Sequence, residues 1–231
     1  MREVIHEVDA RRLLSGGPVV LVTTAWRGNY NVMPAIYVTP LSVDPPLIGL
    51  AVHPERHTHD MIRASEEFAL NVPTRELLHH CQYFGSASGG EMDKLELTKL
   101  PTFRARKVEA PLLEGCVGYV ECGVEDAITT GDHTFFVGRV VSAQVERDAF
   151  DETWLLTDPD LKPLHYLGRN HYGLLEQRLE ARVPQTEGEE ASEEQAEEGR
   201  ADVATELREQ LERLAEQTER GNGEDGRARH S

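Results

Sequence analysis

The chain has 231 residues, of which 39% are hydrophobic, and it carries a formal net charge of −17 at pH 7. This length and composition suffice to bury one sizeable core, whereas the negative charge argues against nucleic acid as a partner, because phosphate backbones bind basic surfaces. The N-terminal residues lack the apolar run of a signal peptide or a membrane-spanning helix, so we expect a cytoplasmic protein with no membrane partner.

Residues 1–182 are predicted to form one domain that is mainly β with flanking helices, an α+β fold. A short helix is expected over 9–14. Runs of β-branched and aromatic residues predict strands over 18–24, 32–39, 47–52, 68–72, 118–124 and 134–145. Capping residues and apolar spacing predict further helices over 58–67, 75–83 and 90–97. Many short strands favour a barrel or a sandwich over alternating βαβ units.

Residues 31–47, NVMPAIYVTPLSVDPPL, combine strand-forming side chains with Pro34, Pro40, Pro45 and Pro46. Proline has no N–H to donate to a ladder, so each is expected at a strand end, an edge strand or a bulge. Some backbone in this segment should therefore stay unpaired beside a hydrophobic sheet.

The C-terminal residues form an acidic tail with 15 acidic and 6 basic side chains over 184–231. Residues 183–200 are almost without apolar side chains and are predicted to be a disordered linker. Residues 201–231 are predicted to hold a helix and a frayed end, with Glu209 and Arg213 as a favourable i,i+4 pair. This helix is either solvated or a surface for a partner.

The segment HPERHTHDMI offers a candidate anion site. Thr58 is predicted to cap the following helix, whose first-turn amides carry partial positive charge, and Arg56 and His57 add donors in front of it. The alternative is an ordinary capped helix with two surface cations. A metal site is not predicted, because Pro54 disfavours the helix that would align His53 with His57.

Several familiar signatures are missing from the sequence. It has no GxGxxG, GxxxxGK[ST], HExxH or GxSxG motif, so common dinucleotide, nucleotide, zinc-protease and hydrolase sites have no support. The three cysteines lack the spacing of a metal site and are predicted to be reduced thiols.

The order of the segments resembles the flavin reductase-like family, FMN-binding split β-barrels that include flavoredoxin-like proteins. The resemblance covers about residues 15–175 and leaves the tail outside. It is carried by Asn31, Met33, Pro34 and Ala35; Ser42, Asp44, Pro45 and Pro46; Arg56 and Thr58; Glu67, Phe68, Asn71 and Val72; Ser88, Gly89, Asp93 and Lys94; and Gly131, Asp132, His133 and Gly138.

The resemblance implies that FMN lies with its ring along the backbone of residues 33–36 and its phosphate near residues 56–58. The implied cofactor-binding residues are Asn31, Met33, Pro34, Ala35, Ile36, Thr39, Ser42, His53, Arg56, His57, Thr58 and Asn71. Two of them also have structural interpretations, Asn71 as a strand-end cap and Thr39 as a strand filler.

His133 is the candidate catalytic residue, since the resemblance puts the GDH segment beside the flavin and a stacked nicotinamide. Its role would be to position NADH or NADPH, and the alternative is a turn residue before a strand. The resemblance also implies a homodimer, with Tyr166, Arg169 and Tyr172 closing over the site. Departures from the family pattern at Met33, Pro34 and Arg139 leave the substrate and electron donor open.

Two functions fit the fold equally well, and the first of them is the one we predict. One is an NAD(P)H-dependent flavin reductase, in which hydride passes from nicotinamide to flavin N5 and the electrons then pass to an acceptor. The alternative is a flavoredoxin-like electron carrier that holds FMN without a nicotinamide site of its own. A third reading is a dimeric scaffold whose acidic tail recruits a partner. Fold alone does not separate them.

Overall fold

The computed structural model describes residues 17–181 together with Glu209 and Arg213. The chain divides into two compact units, residues 1–178 and residues 179–231. In the second unit Glu209 and Arg213 are helical, and their side chains form an ion pair at 3.1 Å. The helix predicted over 9–14, the linker over 183–200 and the rest of the tail lie outside the described residues.

Strands dominate the first unit. They are β1 (Val20–Trp26), β2 (Asn29–Ala35), β3 (Val38–Ser42), β4 (Leu47–Val52), β5 (Glu67–Pro73), β6 (Thr102–Phe103), β7 (Leu112–Leu113), β8 (Cys116–Thr130), β9 (His133–Val145), β10 (Phe150–Asp151), β11 (Thr153–Trp154), β12 (Leu164–Gly168) and β13 (His171–Leu174). The helices are α1 (His57–Ser65), α2 (Leu78–Ser86) and α3 (Lys94–Thr98), with 3₁₀ turns at Arg75–Leu77 and Pro159–Leu161. The predicted class, mainly β with flanking helices, is confirmed.

One antiparallel sheet of seven strands organises the unit, in the order β2-β1-β5-β8-β9-β4-β3. Its two edges, β2 and β3, are consecutive in the chain and are joined only through Ile36 and Tyr37. The sheet is therefore open at the point where β2 runs into β3, as in a split barrel. Pro34 lies opposite Leu21 and Pro40 opposite Ile48, so both prolines occupy edge strands, as predicted.

The single strand predicted over 32–39 is wrong, because the chain leaves one edge of the sheet and joins the other within it. The Thr58 cap is also wrong: Arg56 holds the N-cap position with no side-chain cap bond, and Thr58 lies inside the first turn. The helix predicted over 90–97 begins later, at Lys94, where the Asp93 carboxylate accepts from the backbone N–H of Glu96. Strand β8 continues six residues beyond the predicted end at Val124 because it pairs with β9 along that length.

Alternation along the strands sends side chains to two hydrophobic clusters, one on each face of the sheet. The cluster on one face includes Leu21, Ala69, Phe84, Leu112, Leu113 and Leu164. The cluster on the other face includes Val20, Val22, Leu50, Ile62, Phe68 and Phe136, so it holds α1 against the sheet.

The three cysteines are free, as predicted, and all three are buried, which raises the pKa of the Cys81 and Cys122 thiols to about 12. None of the helices described here is both long enough and apolar enough to span a membrane.

Candidate functional site

A cleft opens where β2 runs into β3, and it consists of three adjoining cavities that all contact Pro34. The central cavity measures about 510 Å³ and is lined by residues of β2, the end of β4 and the start of β9. The helix-end cavity, about 200 Å³, lies at the start of α1 beside the loop after α2. The hairpin cavity, about 260 Å³, lies between α2 and the β12–β13 hairpin.

Most of the sequence-predicted residues meet in this cleft. The central cavity is lined by Met33, Pro34, Ala35, Ile36, His53, Arg56 and His133. The helix-end cavity is lined by Asn31, Met33, Pro34, Arg56, His57 and Thr58. Because β2 is an edge strand, the backbone groups on its outer side have no neighbouring strand to pair with in the sheet.

Three predicted residues lie elsewhere. The Asn71 side chain is fully buried in the core, where its amide donates to the Leu21 carbonyl and its carbonyl accepts from the Leu113 N–H. Thr39 is exposed on β3, and its hydroxyl donates to the Pro40 carbonyl. Ser42 ends β3 at a register shift opposite Leu47. These positions fit structural roles and do not line the three cavities.

The helix-end cavity is tightly built around the Asn31 amide. Asn31 is buried, and its Nδ2 donates to the Thr58 hydroxyl at 2.8 Å. Its Oδ1 is buried with no hydrogen-bond partner among the described residues. A Cβ at Gly89 would lie 2.0 Å from this oxygen, so only glycine lets the loop after α2 approach so closely.

Two cations converge on this cavity, Arg56 and Lys94. Lys94 is only 4% exposed, and its Nζ donates to the carbonyls of Phe84 and Ala87 at 3.2 and 3.4 Å. Burial, and then the charge of Arg56, lower the Lys94 pKa from 10.5 to about 8. Within the described part of the chain Lys94 has no ion-pair partner, so an anion in the cavity would compensate a buried charge.

At the other end of the cleft the His133 ring is oriented by three neighbours. Its Nδ1 lies 2.6 Å from the Asp132 carboxylate, which can only accept, so Nδ1 carries a proton. That bond lowers the Asp132 pKa. The rings of His53 and Tyr37 contact His133 edge-on, at centroid distances of 5.3 and 5.6 Å. His53 Nδ1 in turn accepts from the Glu55 N–H.

Sequence reasoning did not include eleven of the residues that line the central and helix-end cavities. They are Tyr37, Ala51, Val52, Glu55, Phe84, Gly85, Ser86, Ala87, Ser88, Gly89 and Lys94. The small-residue loop FGSASGGEMDK was the available signal, since its glycines permit close backbone approach. Nothing in the local sequence shows that Lys94 is buried beside Arg56. Among the residues described, no group of three or more His, Cys, Asp or Glu side chains could hold a metal ion.

Residues 12–174 match the family model described as the flavin reductase like domain. The chain belongs to the flavin reductase-like family. An uncharacterized protein of Archaeoglobus fulgidus is 39% identical to this chain over 122 residues, which cover 53% of this chain and 68% of that protein. An NADH-dependent FAD reductase of Streptomyces globisporus is 26% identical over 141 residues, covering 59% of this chain and 75% of that protein.

Among solved structures, the flavin reductase-like chain is similar to an FMN-binding protein of Thermus thermophilus crystallised with p-hydroxybenzaldehyde. The two share 28% identity with a TM-score of 0.68, over 79% of this chain and 100% of that one. This likeness confirms the predicted fold, a split β-barrel of the FMN-binding type.

Proposed function

We propose that this protein binds FMN in the cleft and is an NAD(P)H-dependent flavin reductase. The observation that carries the proposal is a single continuous cleft with a cationic end, an apolar middle and a histidine end. Its dimensions and chemistry match the three parts of the cofactor: a phosphate, a flat ring and the edge at which a nicotinamide arrives.

The phosphate would occupy the helix-end cavity. Arg56 and Lys94 supply positive charge there, and the first-turn amides of α1 supply donors that have no partner within the helix. Lys94 gains most from such an anion, because its charge is buried and no described residue supplies a counter-charge. Asn31 Oδ1 would accept a hydrogen bond from a hydroxyl of the ligand, since it is the partnerless acceptor in this cavity among the residues described.

The isoalloxazine would lie against Met33, Pro34 and Ile36, which line the apolar middle of the cleft. When bound, FMN supplies the N5 atom that accepts a hydride. The chain contributes the outer backbone edge of β2 for hydrogen bonds to the ring, and the walls of the cleft to exclude water.

His133 would position the nicotinamide. Its Nδ1–H is held by Asp132, so the ring is fixed with Nε2 as the nitrogen left for a ligand. Hydride transfer between two cofactors depends on the distance and alignment of the reacting atoms, so an oriented contact is of more use here than a general base. The NADH-dependent FAD reductase of Streptomyces globisporus supports a reductase activity, and the Thermus thermophilus protein supports FMN as the flavin.

The test has two stages. Purified protein, loaded with FMN if necessary, is expected to show a two-band flavin spectrum, and a protein that stays colourless after incubation with FMN and FAD would refute flavin binding. Anaerobic stopped-flow mixing with NADH and NADPH is then expected to bleach the flavin. If a chemical reductant bleaches the bound flavin but neither NADH nor NADPH does, the reductase proposal is refuted and the electron-carrier alternative is left. The homodimer and the final electron acceptor stay predictions, the first testable by light scattering.

A further inference from the structure

The hairpin cavity is not used by the proposed FMN chemistry. It lies beneath the β12–β13 hairpin and shares Pro34 and Ile36 with the central cavity. A molecule bound in the hairpin cavity would therefore lie beside the proposed position of the flavin ring. This neighbourhood rests on the proposed function. The cavity itself does not depend on that function.

The walls of this cavity hold each other in place. The rings of Tyr166 and Tyr172 pack edge to face at a centroid distance of 5.2 Å. The Tyr166 hydroxyl donates to the Arg169 carbonyl at 2.8 Å, and the Tyr172 hydroxyl donates to Gln82 Oε1 at 3.0 Å. Gln82 Nε2 donates to Asn170 Oδ1, so one glutamine joins α2 to the hairpin. Both tyrosine hydroxyl protons are therefore already donated to protein acceptors.

Arg169 differs from these neighbours. It lies at the turn of the hairpin with φ near 55°, and its backbone carbonyl is fixed by Tyr166. Its guanidinium has no hydrogen-bond or ion-pair partner within residues 17–181 or at Glu209 and Arg213. Among the described residues no aspartate or glutamate lines the cavity, although the chain carries a net charge of −17. An arginine in this situation presents a planar fork that matches a carboxylate.

Size restricts the occupant further. The cavity of about 260 Å³ has apolar walls from Val19, Ile36 and Cys81 and aromatic walls from the two tyrosines. It holds one ring with a small substituent, not a dinucleotide. We propose that the hairpin cavity binds a small planar organic anion, such as an aromatic carboxylate, with its ring between the apolar and tyrosine walls and its carboxylate on Arg169.

The experiment compares benzoate with benzamide, which has the same ring and nearly the same size but no charge. Binding to the FMN-loaded protein and to the FMN-free protein is measured by calorimetry. Benzoate is expected to bind at least about tenfold more tightly than benzamide, the difference that one charge-assisted pair provides. Arg169→Gln should remove this preference, and Arg169→Lys should keep part of it because the charge remains without the fork.

Arg147→Gln is the matched control, because Arg147 is an exposed arginine in the loop after β9 and lines none of the three cavities. It should bind benzoate like the unmodified protein, and circular dichroism should be the same for all variants. Equal affinity for the two probes, or an unchanged preference in Arg169→Gln, would overturn the assignment of an anion. No binding of either probe at millimolar concentration would overturn the site. FMN content, read from the spectrum, reports on the proposed function separately.

Discussion

Replacing Lys94 by methionine should change folding stability and FMN affinity in opposite directions. The side chain is buried beside Arg56, and its pKa falls from 10.5 to about 8. At about 1.4 kcal/mol for each pH unit, this shift costs the FMN-free fold about 3 kcal/mol at neutral pH. The two hydrogen bonds from Lys94 to the carbonyls of Phe84 and Ala87 each stabilise the fold by about 1 kcal/mol. Lys94→Met should therefore raise the free energy of unfolding by about 1 kcal/mol.

The same substitution should weaken FMN binding by about 2 kcal/mol, about thirtyfold in Kd, because the phosphate loses a charge-assisted bond. Urea unfolding of the FMN-free protein and fluorescence titration with FMN measure the two effects. Lys99→Met is the matched control, since Lys99 is exposed just after the end of the same helix. Lower stability together with unchanged FMN affinity would refute the reasoning and make Lys94 a purely structural residue.

The contribution of Lys94 to folding stability depends on pH with a defined sign. Between about pH 8 and pH 10.5 the unfolded chain keeps the Lys94 proton and the FMN-free fold has lost it. The unfolded state then binds more protons, so the contribution of Lys94 makes the fold more stable as pH rises through this window. The rise should be absent in Lys94→Met. FMN binding should weaken over the same window, because the neutral amine no longer pairs with the phosphate.

Arg56→Ala should weaken FMN binding by about 1 to 3 kcal/mol in a fluorescence titration, through the lost charge-assisted bond. His133→Ala should slow anaerobic flavin reduction by NADH or NADPH by about tenfold or more while FMN content is unchanged, since the residue orients the nucleotide. Gly89→Ala should weaken FMN binding and lower the free energy of unfolding in urea, each by about 1 to 3 kcal/mol, because its Cβ would lie 2.0 Å from a side-chain oxygen. Deleting residues 184–231 should leave the flavin spectrum intact.

Each of these expectations has an outcome that contradicts it. Unchanged affinity in Arg56→Ala would locate the phosphate elsewhere. A normal reduction rate in His133→Ala would make that residue a turn residue only. Gly90→Ala is the control for Gly89→Ala, because its Cβ would have no contact shorter than 3.7 Å, and equal effects of the two would contradict the close approach. Loss of FMN on truncation would show that the tail takes part in binding.

Local patterns predicted most of the central strands, because β-branched and aromatic residues mark each of them. They failed where distant pairing decides the structure. Ile36 and Tyr37 have strand-forming side chains, yet the chain changes edges there because β2 pairs with β1 and β3 pairs with β4. Residues 125–130 are largely exposed and polar, and only their partner strand β9 keeps them extended.

The sequence predicts the backbone segments of the site more completely than its charged side chains. The segment order indicated residues 31–36 and 56–58, and the structure brings these two segments to one cleft. Lys94 was not assigned to the site because its depth beside Arg56 depends on how the loop after α2 folds back. The sequence predicts Thr58 as a cap because hydroxyl residues favour that position. Its hydroxyl instead accepts from Asn31, in a contact between segments 27 residues apart.

The proline positions on the two edge strands have a consequence for self-association. An open sheet edge is a template for pairing with another molecule. Pro34 and Pro40 remove one donor from each edge, so a second chain cannot form a continuous ladder along either. Carbonyl groups, however, remain available on the same strands. The edges of this sheet are thus poor partners for another strand while they still offer acceptors to a small molecule.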